Sequence, residues 1–310
     1  MMTVSAAPNA RLQRFAVTVA VATFLLVVAG GLVTSTGSGL AVPDWPLSFG
    51  QVFPRMEGGV LFEHGHRMVA ATVGLLTVLL AVWTWRSEPR LWVRRLGLAA
   101  VLAVVVQGVL GGVTVLLKLP DAVSVAHAGL AQVFFCLTVT LAVVMSGWWA
   151  GAVPLAGADR VAGAPATPVL ALVTATVVYA QILLGALVRH TGAALAVPDF
   201  PLAFGRLWPE ITTPQVAYQM AHRLGAAVVT AFVVWSAARV LRRHAGEAAL
   251  RSPALALLVI VGFQIYLGAL TIWTGRAVIP TTAHVATGAL LLATCVILAL
   301  RAHRLLAPAG

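Results

Sequence analysis

The chain has 310 residues, 60% of them hydrophobic and only 9% charged, against roughly 25% charged in an ordinary soluble domain. A mean hydropathy of +0.97 and repeated apolar stretches of about 20 residues, the length that crosses a bilayer core, exclude a soluble globular protein. The net charge of +11 would suggest nucleic acid in a soluble chain, but a membrane protein carries basic residues in its inward-facing loops, so no nucleic-acid partner is expected.

Met1 to Ala10 is a short polar start, and no small-residue cleavage pattern follows the first apolar run, so a retained span is expected. Apolar runs at 13–34, 62–85, 96–117, 123–146, 167–188, 216–239, 254–274 and 281–301 predict an all-α polytopic membrane protein of eight transmembrane helices. Thirteen basic residues fall on one side of these spans and five on the other, which puts both termini in the cytoplasm and the long loops 35–61 and 189–215 outside. Cys136 and Cys295 lie alone in separate apolar runs, a pattern that indicates neither a disulfide framework nor a thiolate metal site.

The two long loops carry a repeat. Gly30 to Gly50 (GGLVTSTGSGLAVPDWPLSFG) matches Gly185 to Gly205 (GALVRHTGAALAVPDFPLAFG) at 14 of 21 positions. The chain therefore reads as two tandem four-helix bundles, residues 1–150 and 151–310, joined by the Gly/Ala/Pro-rich linker Gly147 to Thr167. Four helices per copy make both halves cross in the same direction, so a pseudo-two-fold axis should run along the membrane normal. Gln-x-x-Leu-Gly-small segments recur at Gln107 to Gly112, Gln181 to Ala186 and Gln264 to Ala269 and read as sites of close helix packing. Trp83, Trp85, Trp148 and Trp149 sit at span ends, where indole rings favour the interface.

Of the eight histidines, His64, His190, His244 and His303 have no counterpart in the other half. The other four pair up: His66 with His222 at the outer start of the second and sixth spans, and His127 with His284 at the outer start of the fourth and eighth. An ionisable side chain in a span is costly unless it faces the bundle interior with a partner. Two imidazoles on two helices of one four-helix bundle are the arrangement that holds a haem iron from both axial sides. Zinc usually takes three or four protein ligands, and no third ligand recurs in both halves, so haem is favoured.

Arg67 and Arg223 follow the first histidine of each pair and are expected in the first turn of a helix, where the macrodipole disfavours a cation. Either a haem propionate or, for Arg67, an i,i+4 pair with Glu63 would compensate. FEHGHR (Phe62 to Arg67) aligns with YQMAHR (Tyr218 to Arg223), so Glu63 faces Gln219. Glu63 is i−3 to His66, so it is either a proton-accepting carboxylate beside whatever His66 ligates or a charge that neutralises Arg67. Asp44 and Asp199 in the repeated Pro-Asp-Trp/Phe-Pro-Leu segment are expected to fix a turn. Trp45 and Phe200 are candidates for a lid, and Asp121 reads as an N-cap.

These residues resemble the haem A synthase family of bacterial plasma membranes. The resemblance rests on TGSGLAVPDWPLSFG, EHGHR, AHAGLAQ, AHR and AHVATG, in that order across eight spans. It implies oxidation of a methyl group of haem O to a formyl group, giving haem A for terminal cytochrome oxidase. By similarity, the first half, with His66, His127 and Glu63, would hold substrate haem O, with Glu63 the catalytic candidate and Arg67 the expected propionate partner on the charge grounds above. The second half, with His222 and His284, would hold a haem b cofactor with both histidines on its iron, and Arg223 is the expected propionate partner there. Haem O synthase, cytochrome oxidase assembly factors and a second copy of the chain are the partners it brings into view. Where many bacterial members carry a cysteine pair in the first outer loop, this chain has Val42 and Ser48, so a thiol-based role is absent. A di-haem b-type electron-transfer cytochrome and a histidine proton-relay transporter are the rival readings.

Overall fold

The computed structural model describes residues 9–155 and 165–306. Eight long helices lie among them, each apolar enough to cross a membrane: α1 (Ala10–Ser35), α2 (Gly59–Ser87), α3 (Leu91–Leu116), α4 (Asp121–Val144), α6 (Thr167–His190), α7 (Pro214–Arg243), α8 (Ala248–Trp273) and α9 (Val278–Leu306). A single-turn helix, α5 (Gly147–Gly151), opens the linker between the halves, and Leu155 N–H of that linker bonds Leu305 O at 2.8 Å. Arg160 and the middle of the linker lie outside the described residues, as does most of the polar start.

Polar side chains begin several of these helices. Asn9 accepts the N–H groups of Arg11 and Leu12, Thr213 accepts that of Val216, and Glu247 accepts that of Ala249, each satisfying a donor the helix itself leaves free. Asp121 is not the cap expected of it: Pro120 holds that position and Asp121 is the first helical residue, where a carboxylate still suits the positive end of the dipole. Most of the helices also start a few residues before the apolar runs do, because the backbone stays helical past the point where the hydropathy signal ends. Arg67 is therefore the ninth residue of α2, which begins at Gly59, and Arg223 the tenth of α7, which begins at Pro214. Neither is in a first turn, and the macrodipole argument for an anionic partner falls.

Three-residue and four-residue connections, such as 88–90 between α2 and α3, force antiparallel neighbours within each half. In lipid the drive for helix association is packing rather than release of water, so small residues mark the contacts. Gly97, for example, would place a Cβ only 3.5 Å from the Ala81 backbone. One apolar cluster fills the first half, around Leu80, Phe134 and Leu141. Another fills the second half, around Leu250, Leu257 and Leu298. A smaller one of Ala20, Phe135, Val139, Ala289 and Ala293 joins α1, α4 and α9. Across the junction α1 lies on α9 as α6 lies on α4, and α4 meets α9, a pattern that fits the pseudo-two-fold relation.

Candidate functional site

All four paired histidines sit at one end of the bundle, on α2, α4, α7 and α9, the seventh to ninth residue of each helix. At 1.5 Å rise per residue that is about 10–13 Å in from the helix start. Each ring rests against a glycine of the preceding helix. A Cβ on Gly30 would come within 3.2 Å of His66 Cε1, on Gly111 within 3.0 Å of His127 Cε1, on Gly185 within 2.9 Å of His222 Cε1, and on Gly268 within 3.1 Å of His284 Cε1. Every one of these glycines stands five residues before the last residue of its helix. The sequence thus builds the same notch four times, and a side chain in place of the glycine would crowd the ring and force it to shift, most of all at Gly185.

Three of the four stations add a glutamine one turn before the glycine, on the same helical face. Gln107 Nε2 donates to His127 O at 3.0 Å and lies 3.3 Å from His127 Nε2. Gln181 Nε2 donates to His222 O at 2.7 Å and lies 2.9 Å from His222 Nδ1. Gln264 Nε2 lies 3.5 Å from His284 Nε2, and His284 Nδ1 lies 3.2 Å from Gln264 O. The segments read from sequence as packing motifs therefore also position histidines.

The second-half pair faces across its bundle. His222 and His284 have ring centroids 6.4 Å apart with planes at 76°. A metal bonded to one nitrogen of each ring at about 2 Å separates the ring centres by about 6 Å, so the pair fits an iron between its two nitrogens. His66 and His127 lie within charge-interaction range of each other. The apolar helices around each pair leave the imidazoles as the donor set, which suits a haem. Among the described residues, no group of three or more His, Cys, Asp or Glu is gathered as for a metal ion.

Above the histidines the two outer loops are clamped by the residues expected at the site. Glu63, 4% exposed, accepts Val42 N–H at 2.8 Å on Oε2 and the Arg67 guanidinium at 2.7 Å on Oε1. Gln219, 3% exposed, accepts Val197 N–H and donates to Ala194 O at 3.0 Å and Val197 O at 3.2 Å. The acid and the amide thus occupy equivalent places and hold equivalent backbone. Arg67 also donates to Asp44 O, Leu47 O and Ser48 Oγ. Arg223 donates to Leu202 O, Val197 O and Asp199 O, and its buried Nε has no partner among the described residues. His64, unpaired in sequence, holds Ser48 Oγ at 2.7 Å through Nδ1.

Asp44 and Asp199 fix turns, as expected. Asp44 receives Phe49 N–H at 2.7 Å and Gly50 N–H at 2.8 Å, and Asp199 receives Phe204 and Gly205 N–H at the same distances. The backbone N–H groups of Gly50 and Phe49, and of Gly205 and Phe204, hold these carboxyls below the usual carboxylate range. The turns need left-handed backbone at Phe49 (φ 53°) and Phe204 (φ 52°), and the bidentate carboxylate supports it. The turn delivers Trp45 against Gly112, where a Cβ would lie 2.5 Å from the indole, next to the glycine that receives His127. In the other half Phe200 stacks edge-on against Trp273 at 6.2 Å and beneath the Arg223 guanidinium at 5.7 Å.

Two features escaped the sequence reading. Arg189 on α6 reaches across the junction to Gly31 O at 2.8 Å and Ser35 Oγ at 3.0 Å on α1; its mate in the repeat is Thr34, so symmetry gave no signal. The glycine notches could have been found from spacing, since Gly111 precedes His127 by the interval at which Gly268 precedes His284.

The family described as cytochrome oxidase assembly protein matches residues 13–62 and 56–296. A heme A synthase of Symbiobacterium thermophilum is 37% identical over 255 residues, 79% of this chain and 80% of that protein. One from Shouchella clausii is 30% identical over 265 residues, 81% and 83% of the two chains. One from Geobacillus kaustophilus is 30% identical over 283 residues, 88% and 86%.

Proposed function

Since this chain belongs to the haem A synthase family of cytochrome oxidase assembly proteins, we propose that it is a membrane oxidoreductase converting the methyl group of haem O to the formyl group of haem A. The observation that carries the haem reading is the facing pair His222 and His284, whose rings stand 6.4 Å apart, in a scaffold that seats His66 and His127 against matching glycines in its other half. The family weighs against a di-haem electron-transfer cytochrome without haem-modifying chemistry.

In this reading residues 1–150 take haem O between His66 and His127, and residues 151–310 hold haem b between His222 and His284. Bound haem supplies the redox-active iron. The chain's own residues bind, orient and exclude water. Asp44, Arg67 and His64 fold the first loop down over the histidine end of the bundle, and Trp45 closes it against Gly112. Arg223 keeps a free Nε as a donor for an acidic group such as a propionate. Glu63 is the proton acceptor as the methyl is oxidised, because it is the ionisable member of a position whose mate, Gln219, makes the same loop contact without an acid. The protein lies in the plasma membrane with both termini cytoplasmic, its basic residues inside.

The test is chromatography of haems extracted after haem O is supplied to the membrane-embedded protein. Haem A should appear with the wild-type chain. Glu63→Gln should keep bound haem, since glutamine preserves the Val42 bond, yet form no haem A. Wild-type haem A yield from that variant would overturn the catalytic assignment.

A further inference from the structure

The four histidine stations share a glycine notch, but one lacks the glutamine. Gln107, Gln181 and Gln264 each stand nine residues before the end of α3, α6 and α8, four before the glycine. In α1 that place is Leu26. The opposite wall of the slot changes with it. Gly225, three residues after His222, makes room for the Gln181 amide, since a Cβ there would lie 2.0 Å from Gln181 Oε1. Three residues after His66 stands Val69. A polar couple, Gln181 and Gly225, is thus replaced by an apolar one, Leu26 and Val69. His66 Nδ1 and His127 Nδ1 are both buried without a partner among the described residues, but Gln107 lies 3.3 Å from His127 Nε2 and Gln181 2.9 Å from His222 Nδ1, whereas Leu26 has no polar atom to offer His66. A membrane-facing groove of about 230 Å³ opens in the same hairpin, lined by Ala22, Leu25, Met68, Val69, Thr72 and Val73.

An outer hydrogen-bond partner fixes the orientation of a ligating imidazole and raises its basicity, and its loss typically weakens the ligand about 10–100-fold. An amide serves this role for either tautomer because it both donates and accepts. We propose that His66 is the releasable ligand of the four, and that Leu26 and Val69 make it so, while Gln107, Gln181 and Gln264 are positioning residues that keep the other three histidines fixed. A haem held as a cofactor needs two fixed ligands. A haem that enters as substrate and leaves as product needs one that lets go, and the α1–α2 hairpin supplies it.

This proposal rests on the reading of two bis-histidine haem sites. The experiment is titration of the reduced, haem-loaded protein with carbon monoxide, which competes for an axial position, followed by the Soret difference spectrum. The wild-type chain should bind carbon monoxide at one population of haem. Leu26→Gln with Val69→Gly rebuilds the slot and should weaken that binding about 10–100-fold. Gln181→Leu, with Gly225 retained, should do the reverse and make a second haem population reactive. Opposite changes in the two variants are what a general loss of packing would not produce, and should the double variant fail to fold, Leu26→Gln alone takes its place and should still weaken the binding. No carbon monoxide binding by the wild type, or equal affinities across the variants at full haem content, overturns the proposal. Absence of any Soret band overturns the haem reading instead.

Discussion

The sharpest perturbation of the site is Gly185→Ala. The added methyl would stand 2.9 Å from His222 Cε1, whereas carbon atoms rest about 3.5–4.0 Å apart. The ring or its helix must therefore retreat by about 0.6–1.1 Å, several times the roughly 0.2 Å within which a metal–ligand distance holds. The effect on folding is much smaller. Overpacking costs about 1–3 kcal/mol, and replacing glycine by alanine inside a helix returns about 1 kcal/mol. Thermal stability should move by no more than about 2 kcal/mol while the haem between His222 and His284 is lost or severely weakened. Haem per protein and the Soret maximum of the purified chain read the first quantity, and a thermal melt by circular dichroism reads the second. The alanine series should grade with the closest approach, Gly185 before Gly111 (3.0 Å), Gly268 (3.1 Å) and Gly30 (3.2 Å), and Gly262→Ala, where nothing lies within 4 Å, should leave haem untouched. Full haem content with an unshifted spectrum in Gly185→Ala would refute the claim that the notch sets the ligand.

The outer loops carry a pH prediction. Because backbone N–H groups hold the Asp44 carboxyl below its ordinary 3.8, the contribution of the charged form to loop folding is complete above that value and is lost only as pH falls through the lowered one. Trp45 fluorescence should stay flat from neutral pH down to about 4.5 and change below the ordinary carboxylate range, and a transition near pH 6 would contradict the assignment. Arg189→Met strips the donors from Gly31 O and Ser35 Oγ at the junction of the halves and should destabilise by about 1–3 kcal/mol, read as a lower thermal midpoint; an unchanged midpoint would show that the crossing adds nothing.

The eight spans were legible because a membrane leaves helices little freedom to be anything else, and their ends were less so because hydropathy reports where the apolar run ends, not where the backbone stops being helical. Arg67 and Arg223 lie beyond a first turn on either reckoning, sixth and eighth in the runs 62–85 and 216–239 and ninth and tenth in α2 and α7. Their partners were hidden as well, because Asp44 O and Leu202 O become acceptors only once the loop has folded back on the helix. The four histidines were legible as pairs since the duplication printed each twice. Gln181 was visible as part of a repeated string, but its partner His222 is 41 residues away on the next helix, a separation that sequence periodicity does not connect.

The duplication goes one level deeper than the two halves. Each half is itself two hairpins, and each hairpin sets a histidine into a glycine notch of its preceding helix. Four equivalent stations in one chain make departures from the pattern informative, since each station serves as the control for the others. Leu26, where the other three stations have glutamine, departs from it at the α1–α2 hairpin. Glu63, where the other half has Gln219, departs from it on α2 as well. Local rules tend to be broken where a protein does its chemistry. On the proposed reading, a releasable His66 and the buried acid Glu63, one helical turn apart on α2, make the α1–α2 hairpin, rather than the pair His222 and His284, the place where a substrate would be turned over.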